Sequence, residues 1–396
     1  MWRVTQLKQI VAVLGFGFFL TLLSCVLLLK DMSSTPKLKI QPKDYYILSS
    51  KEARKTLEPL FKLRKKEGFK IRFLDWKLGL DSIAKIRTKR AYLLLVGSPH
   101  SPLKEYYLPS YRHNRKLAFT RKELNTGFPR GEIQTMIFSD TLHSAQNLIV
   151  GRFPASTSNQ LKRMVENTLN YESSKQESKH LLAFSKAGGF SKWIDAFIEA
   201  MARVAGMLLL PEAKELDWIH TSSAFTDTTT VVTSRMVTRP QLVLHAGLGG
   251  ENLSGMLHLS KVSRFPGQSG PWILLSGKGG GDQKRLLDAE RLMLKSSGPP
   301  AVFFHSGIGH TYSDSLFLLR FLKVLNQKDS FSKKRSWSQI GHFSKRHLDS
   351  NSVLNRCTQL LCYFIVSLKP RDLGKLREYQ NLSFQYYGDP ALTVRY

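Results

Sequence analysis

Cysteine is scarce in this 396-residue chain, which has only Cys25, Cys357 and Cys362. They form no CxxC pair and have no histidines at ligand spacing, which argues against a structural zinc site or a disulfide framework. Acidic residues are also few, 30 Asp and Glu against 59 Lys and Arg, for a net charge of +29. Such a balance gives the surface a positive field that attracts anionic lipid, nucleic acid or acidic polymers and weakens with salt. The basic residues are scattered without a dense basic tail, so a general bias towards Lys and Arg explains the charge equally well. Internal repeats are absent, and so is a Gly-x4-Gly-Lys-Ser/Thr loop: in Gly277-Lys278-Gly279 the lysine is followed by glycine, which excludes a P-loop. What is present, 42% hydrophobic and 22% charged residues, is the composition of a globular protein. The length suits one large domain or two packed subdomains.

Charge is missing altogether from Ile10 to Leu29. Twenty helical residues at 1.5 Å each match a bilayer core of about 30 Å, so residues 10–29 are expected to form a transmembrane helix or signal anchor. Residues 1–9 form a short basic tail and residues 30–43 a polar linker with two prolines. Two other readings stay open. Leu22-Leu23-Ser24-Cys25 resembles a lipobox, with Cys25 lipidated, and a cleaved secretory signal is the third possibility. Each places the remainder on a membrane or beyond it, and outside the cytoplasm is the expectation. Lys30, Lys37, Lys39 and Lys43 after the segment favour the opposite orientation, a tendency that long domains escape.

Beyond the linker, apolar runs and helical stripes alternate. Asp44 to Leu48 reads as a strand, followed by a helix capped by Ser49 or Ser50 with Leu57, Leu60, Phe61 and Leu63 at helical spacing. Phe69 to Leu74 is a second strand. Ala91 to Val96 is continuously apolar, as in a strand buried on both faces. Further strands are expected at Asn147 to Val150, Leu181 to Phe184, Leu216 to His220, Gln241 to His245, Trp272 to Ser276 and Ala301 to His305. Helices are expected at Thr157 to Glu172, Phe190 to Leu210 and Leu316 to Leu325. Lys328 to Ser350, basic and serine-rich, reads as an exposed insertion. The order is that of a parallel α/β layer structure.

Three segments resemble the gingipain family of cysteine peptidases, peptidase family C25. Ile149 to Glu172, IVGRFPASTSNQLKRMVENTLNYE, is similar to that family's GRFP segment and the helix after it. Ala91 to Pro99, AYLLLVGSP, is similar to its apolar strand ending in Leu-Val-Gly, and Ser139-Asp140 to a Ser-Asp pair before GRFP. Phe384 to Tyr396, FQYYGDPALTVRY, resembles its terminal Gly-Asp-Pro strand. The resemblance implies caspase-like α/β/α layers around a mostly parallel sheet, with a smaller subdomain at 44–146 and a larger one at 147–396.

It also implies a histidine in a Gly-His-Gly turn and a cysteine at the end of the next strand, acting as base and nucleophile. This chain departs at both. Leu248 occupies the middle of Gly247-Leu248-Gly249, and the region of the family cysteine reads Ser276-Gly277-Lys278. Leucine can neither accept nor deliver a proton. A degenerate site kept as a binding or structural module is therefore the leading expectation, with a peptide or protein ligand in the former substrate cleft. A peptidase using Ser276 and His245 is the enzyme alternative, and a basic module binding anionic lipid or nucleic acid the third. His305 and His310 stand five apart, not at the i, i+4 spacing of a zinc-peptidase helix. No cofactor is called for, and metal binding and oligomeric state stay open.

Overall fold

The computed structural model describes residues 42–77, 82–83, 85–86, 90–108, 112–117, 133–138, 148–174, 180–186, 215–221, 228–247, 257–276, 282–305, 335–346 and 384–394, with most of 317–325. The apolar segment 10–29, the expected helix Phe190 to Leu210 and Ser139-Asp140 lie outside these residues. Among the described ones, no helix is long and apolar enough to cross a membrane.

The first apolar run forms β1 (Asp44–Leu48), and Ser50 then caps α1 (Lys51–Lys66), its Oγ accepting from Ala53 N at 3.2 Å. Gly68, at φ +88°, takes the left-handed turn that returns the chain to β2 (Lys70–Leu74). β3 (Ala91–Val96) is buried at every position, as its unbroken apolar sequence requires. A two-stranded antiparallel pair comes next, β4 (Arg112–Leu117) with β5 (Ile133–Phe138). β6 (Leu148–Phe153) runs three residues beyond its expected end and so includes Gly151 to Phe153. Thr157 caps α2 (Ser158–Ser173), accepting from Gln160 N at 3.3 Å.

The second half supplies β7 (His180–Lys186), β8 (Glu215–Thr221), α3 (Thr228–Arg235), β9 (Leu242–Gly247), β10 (Trp272–Ser276), α4 (Asp282–Met293), β11 (Ala301–His305), α5 (Trp337–Arg346) and β12 (Phe384–Gly388). Ten strands form one sheet in the order β2-β1-β3-β6-β12-β11-β10-β9-β7-β8. Pairing is parallel from β2 to β6 and again from β11 to β8, whereas β12 is antiparallel to β11. β6 meets β12 through one parallel bridge, Tyr387 with Arg152, too short to set a strand direction. Side chains set it instead. Arg64 in the last turn of α1 donates to Glu172 in the last turn of α2, at 2.9 Å, so the helices returning from β1 and β6 end side by side. Asp389, one residue past β12, meets Tyr45 at the start of β1. All the parallel strands therefore start at one edge of the sheet, and β12 finishes there.

Both faces of the sheet are covered. On β1, Tyr45 and Ile47 join Leu57, Leu60, Leu161, Met164 and Leu292 in one core, and Tyr46 and Leu48 join Ile83, Leu93 and Leu95 in another. One expectation is corrected here. The stretch 328–350 is not an exposed insertion throughout: Arg335 to Ile340 is buried, with Trp337 and Ile340 fully so. Trp337 Nε1 donates to Tyr171 Oη at 3.0 Å. The serine- and lysine-rich average of the stretch concealed a short amphipathic helix within it.

Candidate functional site

In a parallel sheet, residues just beyond neighbouring carboxyl ends can approach one another, because the strands lie about 4.8 Å apart. β9 and β10 are such neighbours, with Trp272 opposite Val243, Leu274 opposite His245 and Ser276 opposite Gly247. The two strands thus end level. The next residues in sequence are Leu248 and Gly277, which with Lys278 lie outside the described residues. The level ending is the arrangement the sequence motifs call for.

His245 occupies a different place. β9 continues two residues past it, so His245 is inside the strand rather than on the loop. Its side chain is fully buried and its ring lies 5.1 Å from that of Phe184, its register partner on β7. Phe184 in turn packs edge-on against Trp272. Ser276 is the last residue of β10 and stands two positions further along than Leu274, the residue opposite His245. With 4.8 Å between strands and 3.3 Å per residue, the His245 and Ser276 Cα positions are on the order of 8 Å apart.

The opposite edge, where the strands start, holds a charge cluster that the sequence did not disclose. Arg64, fully buried near the end of α1, donates through Nε to Asp389 Oδ2 at 2.8 Å, through Nη2 to Glu172 Oε1 at 2.9 Å and through Nη1 to Glu67 Oε2 at 2.5 Å. Tyr45 Oη donates to Asp389 Oδ1 at 2.8 Å. Ala391 N and Thr393 N donate to Asp389 Oδ1 and Glu172 Oε1, at 2.9 and 3.1 Å. Burial works against the Arg64 charge, but the Asp389, Glu172 and Glu67 carboxylates outweigh it and hold its pKa well above the ordinary value. Burial, then the Asp389 charge, likewise pushes the Tyr45 hydroxyl up. One signal for this cluster was visible: Arg64 completes the i, i+3, i+4, i+7 stripe of Leu57, Leu60 and Phe61, a charge on a buried face.

The two glycine motifs meet beside this cluster. A Cβ on Gly151 would strike Gly388 O and come within 2.9 Å of Pro390 Cδ. Gly388 has φ +139°, and a Cβ there would lie 2.7 Å from Ala301 Cβ. The glycines of GRFP and of Gly-Asp-Pro are thus required by close packing between β6 and β12. Arg152 of GRFP is buried and donates through Nη2 to Leu108 O at 3.0 Å. Among the described residues no three His, Cys, Asp or Glu side chains cluster as a metal site would require.

Comparison with known proteins adds a family and a fold. The profile of peptidase family C25 matches residues 39–395. The complex of the pro- and mature domains of Porphyromonas gingivalis RgpB is similar, with a TM-score of 0.61 at 15% identity, covering 89% of this chain and 80% of that one. The Arg-specific cysteine proteinase gingipain R gives 0.62 at 14% identity, with 91% and 80% covered. A third structure, described only as a protease, gives 0.58 at 12% identity, with 92% and 81% covered. No curated protein matches the chain.

Proposed function

This chain belongs to peptidase family C25, and from that premise we propose that it is a membrane-anchored gingipain-type homologue whose catalytic pair has been lost. It serves as a binding or structural module, with subdomains at 44–146 and 147–396 held outside the cytoplasm by residues 10–29. The carrying observation lies just past the level ends of β9 and β10, where Leu248 succeeds Gly247 and the cysteine-free run Gly277 to Gly281 succeeds Ser276. Without a proton acceptor at the first position, a hydroxyl or water is a poor nucleophile at neutral pH. The burial of His245 against Phe184, level with Leu274 rather than Ser276, supports loss of the pair over a Ser276–His245 replacement.

The purified full chain is expected to cleave no Arg- or Lys-containing peptide above background, and a thiol-directed inhibitor is expected to label nothing in the cleft. Positioned acid–base help alone contributes about 10²–10⁴-fold, so its absence is readily measured. Leu248→His alone restores nothing, because the sulfur nucleophile is missing too. Proteolysis by the wild type that Ser276→Ala or His245→Ala abolishes would overturn the proposal.

Anchoring is tested by fractionation. Removal of residues 1–30 releases the remainder from membranes, since β1 begins only at Asp44. Retention after a high-salt wash contradicts a single anchor, and loss of attachment in Cys25→Ala assigns the tether to lipidation instead.

A further inference from the structure

The strand order β2-β1-β3 contains a reversal. β1 leads through α1 to β2 on one side, and the chain then crosses back to β3 on the other. Loops leaving the carboxyl ends diverge at such a switch point and leave a crevice there. The crevice is present as a cavity of about 630 Å³ lined by the β1–α1 turn, the end of β2 and the turn at Lys104 and Glu105. That volume lies within the range of small-molecule sites. It stands about five strands along the sheet from β10, on the order of 24 Å at 4.8 Å per strand.

The start of α1 faces this cavity, and the helix is 16 residues long, so its first N–H groups carry the positive end of a full dipole. Ser50 Oγ caps Ala53 N, while the N–H groups of Lys51 and Glu52 make no hydrogen bond among the described residues. A helix start alone would be unremarkable. Ser49 makes it otherwise: this residue is fully buried, lines the cavity, and its Oγ has no hydrogen-bond partner among the described residues. A buried hydroxyl left unsatisfied costs free energy that a ligand acceptor would recover. Arg54 Nε is buried and lacks a partner in the same way, and its guanidinium lies 4.3 Å over the Phe73 ring.

The remaining lining discriminates among anions. Ser49 Oγ, Lys51 N and Glu52 N are three donors at neighbouring positions, a number that matches the three terminal oxygens of a phosphate monoester. The cations Lys51, Arg54, Lys77 and Lys104 line the cavity beside the carboxylates of Glu52, Asp75 and Glu105, a near balance that suits a single phosphate, and the carboxylates accept readily from hydroxyl groups. Phe73, next to last in β2, is 43% exposed with Arg54 over its ring, and Trp76 is half-buried, so part of an apolar ring surface stands open to the cavity. We propose that this cavity binds a phosphate monoester of a hydroxylated, ring-bearing molecule of mononucleotide size, with the phosphate at the start of α1 and the ring against Trp76 and Phe73.

Titration calorimetry on the purified full chain in detergent tests this, with adenosine 5′-monophosphate as probe and ribose 5-phosphate, adenosine and inorganic phosphate as partial probes. About 0.15 M salt screens the general field of a chain of charge +29. The expected result is saturable binding of one monophosphate per chain, tighter than any partial probe. Arg54→Ala should weaken it about tenfold or more, the loss of a charge-assisted contact, and Ser49→Ala several-fold. Lys162→Ala, an exposed cation on α2, should leave it unchanged. Absence of saturable binding, or binding that weakens equally in Arg54→Ala and Lys162→Ala, overturns the proposal. Ser49→Ala removes an unsatisfied buried hydroxyl and should not lower the unfolding midpoint, so weaker binding in that variant is not a loss of fold. The assay reads no peptide cleavage, so its failure and that of the degenerate-peptidase reading are separate results.

Discussion

The two edges of the sheet differ in what they hold. At the edge where the strands start, Arg64, Asp389, Glu172 and Tyr45 tie α1, α2 and the segment after β12 together, and Gly151 packs on Gly388 beside them. At the edge where β9 and β10 end, Gly247 and Ser276 stand level, yet the residues directly after them in sequence, Leu248 and Gly277, are neither histidine nor cysteine. Of the sequence motifs that carry the family resemblance, Gly-Asp-Pro belongs to the first edge, whereas GRFP is the carboxyl half of β6 and its start packs on Gly-Asp-Pro through Gly151. They are packing and charge-pairing devices. A chain can keep every one of them, and therefore the fold, while its catalytic positions change, because nothing at the first edge requires the second.

The largest expected effect breaks this contrast at its strong side. Asp389→Ala leaves the buried Arg64 guanidinium without the most deeply buried of its three carboxylates and Tyr45 Oη without its acceptor. Removing one partner of a buried ion pair typically costs about 3–5 kcal/mol, and because Glu172 and Glu67 stay beside Arg64 the loss should fall towards the lower end of that range. Urea denaturation of the variant should show that loss of stability. A change below about 1 kcal/mol would mean that the terminal Asp is not a structural lock, and the division of roles between the two edges would fail with it.

Much of the fold was legible because β1, β3, β10 and β11 are short apolar runs buried on both faces, and Ser50 and Thr157 sit where caps belong. The β4–β5 pair was not: Arg112 to Leu117 reads RHNRKL, with no alternation of apolar and polar residues to mark a strand. The α5 helix was lost in the composition of its surroundings. The buried charges were hidden for another reason. Tyr45 and Asp389 are 344 residues apart, and only the folded chain brings them together. At the candidate site, Ser276 stood at a readable strand end, but His245 was placed by two extra residues of strand that a glycine-containing sequence does not announce.

A smaller effect sharpens the contrast by asking what a buried carboxylate does without such a partner. Glu290, in the last turn of α4, is buried, and its Oε1 has no hydrogen-bond partner among the described residues. Burial raises its pKa from 4.5 to about 7, and the Arg152 charge offsets only part of that rise. The folded chain therefore holds this proton more tightly than the unfolded chain does. Below pH 4.5 both states are protonated and nothing is lost, whereas between 4.5 and about 7 the unfolded state ionises first and stability falls as pH rises. Above that window the full cost remains, on the order of 3 kcal/mol for such a shift. Glu290→Gln keeps the shape and removes the ionisation. Its stability relative to wild type should start near zero at about pH 4.5 and grow steadily to its maximum at about pH 8. Denaturant unfolding of both proteins across that range measures the difference directly. A difference that stays flat with pH would show that Glu290 is ionised in the fold at little cost, with Arg152 acting as a full partner rather than a partial one. The contrast with Asp389 would then rest on geometry alone and not on the presence or absence of a paired cation.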